Sequence, residues 1–409
     1  MRLSKIKINN FKTFKNLTVD LNNPCLIIGS CASGKSNFVE IFEFIKDLTN
    51  DFDNAFYKHG GFYLQNLNPL LKNEPTYLKF FFDDKEFDGE ILNLNDSVSI
   101  RFTNFNYEIS FNFNEWEYDV LYENIEFKFN VIDDGIHSSH NTLYLKNSGG
   151  KYFVDLDYDG DLFSADDLIP NSLLNIARNN LANNNVLLIN SVLSSTPFQW
   201  ADFFKEIECY NFNPQFSKSI SKINGDNSLL KYGDNLSISL NRILKNNNDK
   251  RMFLNLLKDL LPYINDVDVK QLKQNQLFFT IFEQNKKVEV PSLFVSDGTS
   301  NVIALIVSLY FDNSKYLFIE EPERNIHPSL LSKLVQMISE ASRFKQIIVT
   351  THSPEILKFM KLDNIYLISK DDNEFTVISK PANNKVLKPF IEELGIDEIF
   401  VDNYLEWGT

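Results

Sequence analysis

Cysteine is scarce in this sequence. Cys25, Cys31 and Cys209 stand far apart in 409 residues, too few and too scattered for a disulfide framework or a zinc site, which fits a reducing compartment. Long apolar runs are missing as well. No stretch is long enough to cross a bilayer, and the opening "MRLSKIKINNF" lacks a signal-peptide apolar segment, so a cytoplasmic chain with no membrane partner is expected. Basic charge is in deficit, 40 Lys and Arg against 55 Asp and Glu, for a formal net charge of −15. Binding nucleic acid through its phosphates requires a basic stripe. Only short clusters occur, such as Arg343/Lys345 and Lys358/Lys361, which read as solvated helix faces. Nucleic acid is therefore not favoured, and basic protein surfaces are the better match. Neither a coiled-coil heptad run nor an internal repeat is present.

Aromatic residues, by contrast, are plentiful. With 37 Phe, 16 Tyr and 43 % hydrophobic residues, the chain can fill a large core and build two or more lobes. Four stretches differ in texture. Residues 1–50 alternate in "KIKINNF" and "LTVDL", then give the buried strand "CLIIG" and an amphipathic helix with Phe38, Ile41, Phe42, Ile45 and Leu48 on one face. Residues 51–170 carry period-two runs ("YLKFFF", "SVSIRF", "YEISFNF", "IEFKFNV", "LYLKN", "YFVDLDY") with turn signals "DDG", "SGG" and "YDGD", which predicts antiparallel sheet. Residues 171–265 read as helical, from "SLLNIARNNLANNN" through "FFKEIE" to "MFLNLLKDLLPYI". From residue 266 to 409 strands and helices alternate, which implies a largely parallel sheet. An α/β domain split by a long α+β insertion is the fold expected.

Between strand and helix lies Gly29-Ser30-Cys31-Ala32-Ser33-Gly34-Lys35-Ser36, the spacing and context of a P-loop. Two glycines let the backbone wrap a phosphate, and the helix start offers N–H groups and a positive dipole end. The cradle comprises Gly29, Ala32, Ser33, Gly34, Lys35, Ser36 and Asn37. Lys35 would reach the β- and γ-phosphates of ATP, and the Ser36 hydroxyl would ligate Mg²⁺. Cys31 fits as a tolerated small residue; alternatively it is a thiol activated by the helix start and Lys35, open to modification when no nucleotide is bound.

Three further motifs end strands or begin a helix. In "LFIEEPERNIHP" a strand delivers Glu320 and Glu321 at its C-terminal end, where α/β sheets bind ligands. Adjacent strand residues point to opposite sides, so Glu320 is assigned to the Mg²⁺ shell and Glu321 to the attacking water. In "QIIVTTHSPEIL", His352 sits at a strand tip from which it could hydrogen-bond a γ-phosphate. "VSDGTSNVIALIVSLY" places Ser296 and Gly298 at a helix start, where the plain reading is an N-cap. His137 and His140 in "IHSSH" are expected in a loop, since no carboxylate or cysteine completes a metal set.

Taken in order, "INNFKTFKNLTVDL", "GSCASGKSNFVEIFEFIKDL", "AFYKHGGFYL", "SDGT", "EEPERNIHP" and "TTHSPEIL" resemble the ABC-type ATPases of the RecF/SMC branch. The similarity is greatest to the OLD-like and abortive-infection ATPases of bacterial anti-phage defence. That resemblance implies a split ABC-type head, with Glu321 as general base, His352 as switch histidine, and Ser296 and Gly298 as the signature motif that reaches the partner's γ-phosphate. ATP would then be sandwiched in a homodimer or higher homo-oligomer. Gln65 is the candidate Q-loop residue and metal contact, and Phe11 or Lys12 could lie near the base or phosphates. Asn301 departs from the arginine usual there, and the stretch after His352 is too short for the nuclease domain that OLD proteins append. The acidic residues Glu392, Glu393, Asp397, Glu398 and Asp402 form no metal-ligand pattern. The expected function is an ATP-hydrolysing dimeric switch that controls a separate effector, a nuclease or toxin. The alternatives are a RecF/SMC-like DNA repair or clamping ATPase, a nucleotide-gated scaffold and, least favoured, a transporter subunit.

Overall fold

The computed structural model describes residues 2–61, 71, 74–83, 91–93, 98–114, 117–133, 136–158, 160, 162–164, 189, 202–223, 228–273, 275–284 and 288–401. Two compact units emerge, each assembled from separated stretches. One comprises Met1–Asn22, Glu40–Lys205 and Ser369–Ile378; the other comprises Asn23–Val39, Glu206–Ile368 and Ser379–Thr409.

The first unit is built on an antiparallel sheet. Its strand order is Phe14–Asp20, Arg2–Phe11, Thr76–Asp83, Val98–Asn114, Glu117–Asp133, Ile136–Ser148 and Lys151–Asp157, with Ile91–Asn93 beside Val98–Asn114. Arg2–Phe11 pairs with Thr76–Asp83, so the opening strands share a sheet with the aromatic-rich stretch. Period two explains the packing. Thr76, Leu78, Phe80 and Phe82 are buried while the residues between them are only partly so. Behind the sheet Phe44 packs on Phe11, Phe56 and Phe111, and Phe204 on Phe80, Phe82 and Tyr107. Each such ring contributes about 1.5–3 kcal/mol by leaving water. The turn at Gly149 and Gly150 has positive φ at both positions (55° and 77°), as a tight hairpin requires. His137 and His140 do not lie in a loop: they belong to the strand Ile136–Ser148, where His137 pairs with Ile132.

The second unit holds a parallel sheet in the order Ile207–Tyr210, Tyr316–Glu320, Gln346–Thr351, Cys25–Ile28 and Ile365–Lys370. The split α/β architecture expected from the alternating texture is present, since these strands come from both ends of the chain. Cys25–Ile28 and Gln346–Thr351 are buried along their whole length, as strands covered on both faces must be. Helices Leu236–Lys245, Asn247–Leu260, Asp297–Tyr310 and Leu331–Ala341 close a common core around Leu240, Leu257, Ile303, Leu305, Leu334 and Ile338. A small antiparallel sheet of Ser221–Lys222, Gln276–Glu283, Ile264–Lys273 and Glu289–Pro291 completes the unit.

One expectation fails here. "FFKEIE" does not continue as helix: after the single turn Asp202–Lys205 the chain enters the parallel sheet at Ile207–Tyr210, whose Ile207, Cys209 and Tyr210 are buried. A four-residue strand has no room to show a period. The stretch "SLLNIARNNLANNN", expected as helix, lies outside the described residues. No helix among the described residues is long and apolar enough to cross a membrane.

Candidate functional site

Because the sheet is parallel, four neighbouring strands present their C-terminal tips together: Asn211 follows Tyr210, the carboxylates end Tyr316–Glu320, His352 follows Thr351, and Gly29 follows Ile28. Ligands bind at such an edge in open α/β sheets.

Gly29 opens the loop under tight constraint. A Cβ there would stand 2.1 Å from the Ile368 carbonyl oxygen and 2.8 Å from Ser33 Oγ, so only glycine fits. Ala32 takes a left-handed φ of 61°, and Ser33 is buried. The helix Lys35–Asn50 then begins, with the Phe38 N–H donating to the Gly34 carbonyl at 3.0 Å. Lys35 Nζ folds back and donates to the carbonyls of Gly29 (2.8 Å) and Ser30 (2.7 Å) and to Ser33 Oγ (3.3 Å). Burial pulls its ammonium below the ordinary lysine value, against the opposing pull of Cys31, Glu321 and Glu320. Both carboxylates are therefore within electrostatic reach of the loop lysine. Asn37 stands half-buried in the first turn, and Cys31 is exposed and free.

The two carboxylates part company at the strand end. Glu320 Oε2 accepts from Ser36 Oγ at 2.8 Å, and its Oε1 accepts from Asn211 Nδ2 at 3.3 Å. Glu321 turns away through a left-handed φ of 47°, fastened by its N–H to the Thr350 carbonyl at 2.7 Å. Such a backbone costs about 1–3 kcal/mol and persists only where its surroundings impose it. Arg324 donates from Nε (3.0 Å) and Nη2 (2.6 Å) to Glu321 Oε2. His352 Nε2 stands 3.3 Å from Glu321 Oε1. Beneath them Thr351 Oγ1 donates to Glu323, whose carboxyl is pushed up by burial.

Ser296 caps the helix Asp297–Tyr310 by accepting from the Thr299 N–H at 3.2 Å. A Cβ on Gly298 would stand 2.3 Å from the Asn325 carbonyl oxygen, so the helix start is pressed against the segment after the carboxylates. Asn301, which departs from the arginine that the resemblance implies there, donates from Nδ2 to the Arg324 carbonyl at 2.6 Å.

The structure thus brings together the loop 29–36, Glu320, Glu321 and His352, and ties Gly298 to the Asn325 segment. Gln65 lies outside the described residues. Phe11 cannot stack on a base, because it is fully buried against Phe44. Lys12 is paired with Glu40. Among the described residues no cluster of His, Cys, Asp and Glu has the form of a metal cage, and Asp397 of the C-terminal stretch is paired with Lys358 at 3.0 Å. Two contributors escaped sequence reading. Asn211 follows a strand too short to show a period, and Arg324 lies inside the carboxylate motif with no local pattern to mark it.

An uncharacterized protein of Methanocaldococcus jannaschii is 24 % identical over 144 residues, covering 32 % of this chain and 38 % of that protein. The "Retron Vc95 probable ATPase" of Vibrio cholerae is 26 % identical over 170 residues (37 % of this chain, 33 % of that protein). "Endonuclease GajA" of Bacillus cereus is 32 % identical over 94 residues, covering 22 % of this chain and 16 % of the nuclease. The matches span about a third of the first two relatives and less of the third. Among solved structures, an SMC head bound to the C-terminal winged-helix domain of ScpA superposes with a TM-score of 0.46 at 12 % identity, over 95 % of this chain and 100 % of that one. The SMC head domain from Thermotoga maritima gives 0.44 at 13 % identity, over 93 % and 99 %. The family described as "AAA domain, putative AbiEii toxin, Type IV TA system" matches residues 26–358, which include the loop lysine, both carboxylates and the histidine, and the chain belongs to that family.

Proposed function

We propose that this chain binds ATP with Mg²⁺, hydrolyses it slowly, and acts as a dimeric switch that controls a separate effector in a bacterial anti-phage system. One observation carries the catalytic part: Lys35, the Ser36–Glu320 pair and the Glu321–His352 pair stand on neighbouring strand tips of one parallel sheet. The donor set suits the metal. A hydroxyl and a carboxylate that already share a hydrogen bond offer hard oxygens to a small divalent cation. Ser36 and Glu320 would hold Mg²⁺, which when bound supplies charge neutralisation on the β- and γ-phosphate oxygens. Lys35 would exchange the carbonyls of Gly29 and Ser30 for phosphate oxygens. Glu321, its Oε2 held by Arg324, would offer Oε1 to the attacking water and take its proton. His352, beside the same oxygen, would orient the water or the departing phosphate.

The switching part rests on the family and on chemistry at the helix start. Ser296 and Gly298 of a second copy would complete the first copy's site, so ATP would favour a closed dimer and hydrolysis an open one. A retron ATPase and an endonuclease among the relatives support a role alongside an effector. The test uses the purified chain, alone and with the products of its neighbouring genes. ATP should bind, double the sedimenting mass and change what co-elutes, and Lys35→Ala should abolish all three. ATP binding unaffected by Lys35→Ala would overturn the proposal.

A further inference from the structure

Glu321 is a long, flexible side chain on a left-handed backbone, and donors hold one side of its carboxylate. Arg324 donates twice to the same oxygen, Oε2, through Nε at 3.0 Å and Nη2 at 2.6 Å. The remaining arm, Nη1, donates to Asn211 Oδ1 at 3.3 Å. The backbone of Arg324 is fixed as well: its N–H donates to the Glu321 carbonyl at 3.0 Å, and its own carbonyl accepts from Asn301 Nδ2. A guanidinium is planar and forked, so donors anchored on both sides fix the orientation as well as the position of what they hold. The consequence is asymmetric. Oε2 is committed to the guanidinium, whereas Oε1 faces His352 and remains the oxygen to which a proton could pass. Asn211 adds a link, since its amide also donates to Glu320 Oε1 and so ties the metal-side carboxylate to the same brace.

From this we infer that Arg324 is a positioning residue for hydrolysis: by clamping Glu321 Oε2, with Asn211 and Asn301 as its own supports, it aims Oε1 at the attacking water. The inference rests on the reading of Glu321 as the general base. Arg324 acts through Glu321 and not on the nucleotide, so its loss should lower turnover and leave ATP binding alone.

The experiment compares full-length wild type, Arg324→Ala, Arg324→Lys, Asn211→Ala, Glu321→Gln and the double variant Glu321→Gln/Arg324→Ala. Phosphate release is read beside equilibrium binding of a fluorescent ATP analogue, with circular dichroism as the folding control. Arg324→Ala should cut kcat about 30- to 100-fold, the scale of an ångström's misplacement of a reacting group, with analogue affinity within about twofold. Arg324→Lys should recover part of the loss, because one N–H replaces a fork. Asn211→Ala, which removes one support of Arg324 together with a hydrogen bond to Glu320, should cost about 3- to 10-fold at saturating Mg²⁺ and serves as the probe if Arg324→Ala fails to fold. In the Glu321→Gln background Arg324→Ala should add nothing. Wild-type or raised turnover in Arg324→Ala, an equal loss of analogue affinity, or a further loss in the Glu321→Gln background would each overturn the inference. Full turnover in Glu321→Gln would instead remove the base reading itself, so the two failures are distinguishable.

Discussion

Replacing Gly298 by alanine tests how the helix start at Ser296 communicates with the carboxylates. The new Cβ would lie 2.3 Å from the Asn325 carbonyl oxygen and 3.4 Å from its carbon. Ordinary contact begins at about 3.4 Å, so helix start and segment must separate by about 1 Å, and with backbone on both sides no side chain can absorb the strain. Overpacking of this kind costs about 1–3 kcal/mol of stability. The displaced segment contains Arg324, whose carbonyl is pinned by Asn301 and whose guanidinium grips Glu321 at 2.6 Å and 3.0 Å. A shift of that size should release the grip and lower kcat on the order of 10²-fold. Thermal unfolding and phosphate release measured on the same preparation check both numbers. The reasoning is refuted if Gly298→Ala keeps wild-type stability and turnover. It is equally refuted if ATP-driven dimerisation is lost while turnover per closed dimer stays normal, for the defect would then lie between copies.

Two further outcomes follow from other parts of the molecule. His59 sits buried between Asp47 (Nε2 to Oδ2, 2.7 Å) and Glu40 (Nδ1 to Oε1, 3.3 Å), with Lys58 and Lys12 on the outer sides of those carboxylates. Burial alone would lower its pKa, but its hydrogen bonds and the carboxylate charges win and hold it above the ordinary histidine value, while those of Asp47 and Glu40 are lowered. The histidine's contribution is therefore full below pH ~6.5 and lost as pH rises through its folded value, while the carboxylates' contribution fades in acid. Denaturant midpoints at several pH values should show wild type losing about 1–3 kcal/mol relative to His59→Gln across that rise, and parallel pH profiles would contradict it. Cys31 is exposed in the loop 29–36. Alkylating it with a maleimide should block ATP binding, bound ATP should protect it, and undiminished binding by fully alkylated protein would refute that reading.

Much of this architecture is legible locally. The strands "CLII", "YLFIE" and "QIIVTT" and the helices after them stand out because burial on both faces leaves unbroken apolar runs. Chain order also places Lys35, the Glu pair and His352 at strand ends. What local pattern cannot carry is pairing at a distance. Nothing in "IKINNF" says that its partner will be "TYLKFFFD", about seventy residues on. Nothing in "IECY" separates a sheet strand from the end of a helix, so Asn211 was invisible. The opposed directions of Glu320 and Glu321 follow from strand geometry only in part, because the strand ends at Glu320 and the left-handed turn of Glu321 does the rest. Asn301 reads as a missing arginine, yet its amide fastens the carbonyl of Arg324, a contact between positions 23 residues apart.

The central claim is that one phosphate loop, one metal-side carboxylate and one base converge on a single triphosphate. Its most direct test is the single-turnover rate of ATP cleavage by Glu321→Gln, measured with ATP affinity on the same preparation. The account predicts unchanged ATP affinity with the γ-phosphate left intact, cleavage slowed on the order of 10³-fold or more. Cleavage at the wild-type rate would contradict it.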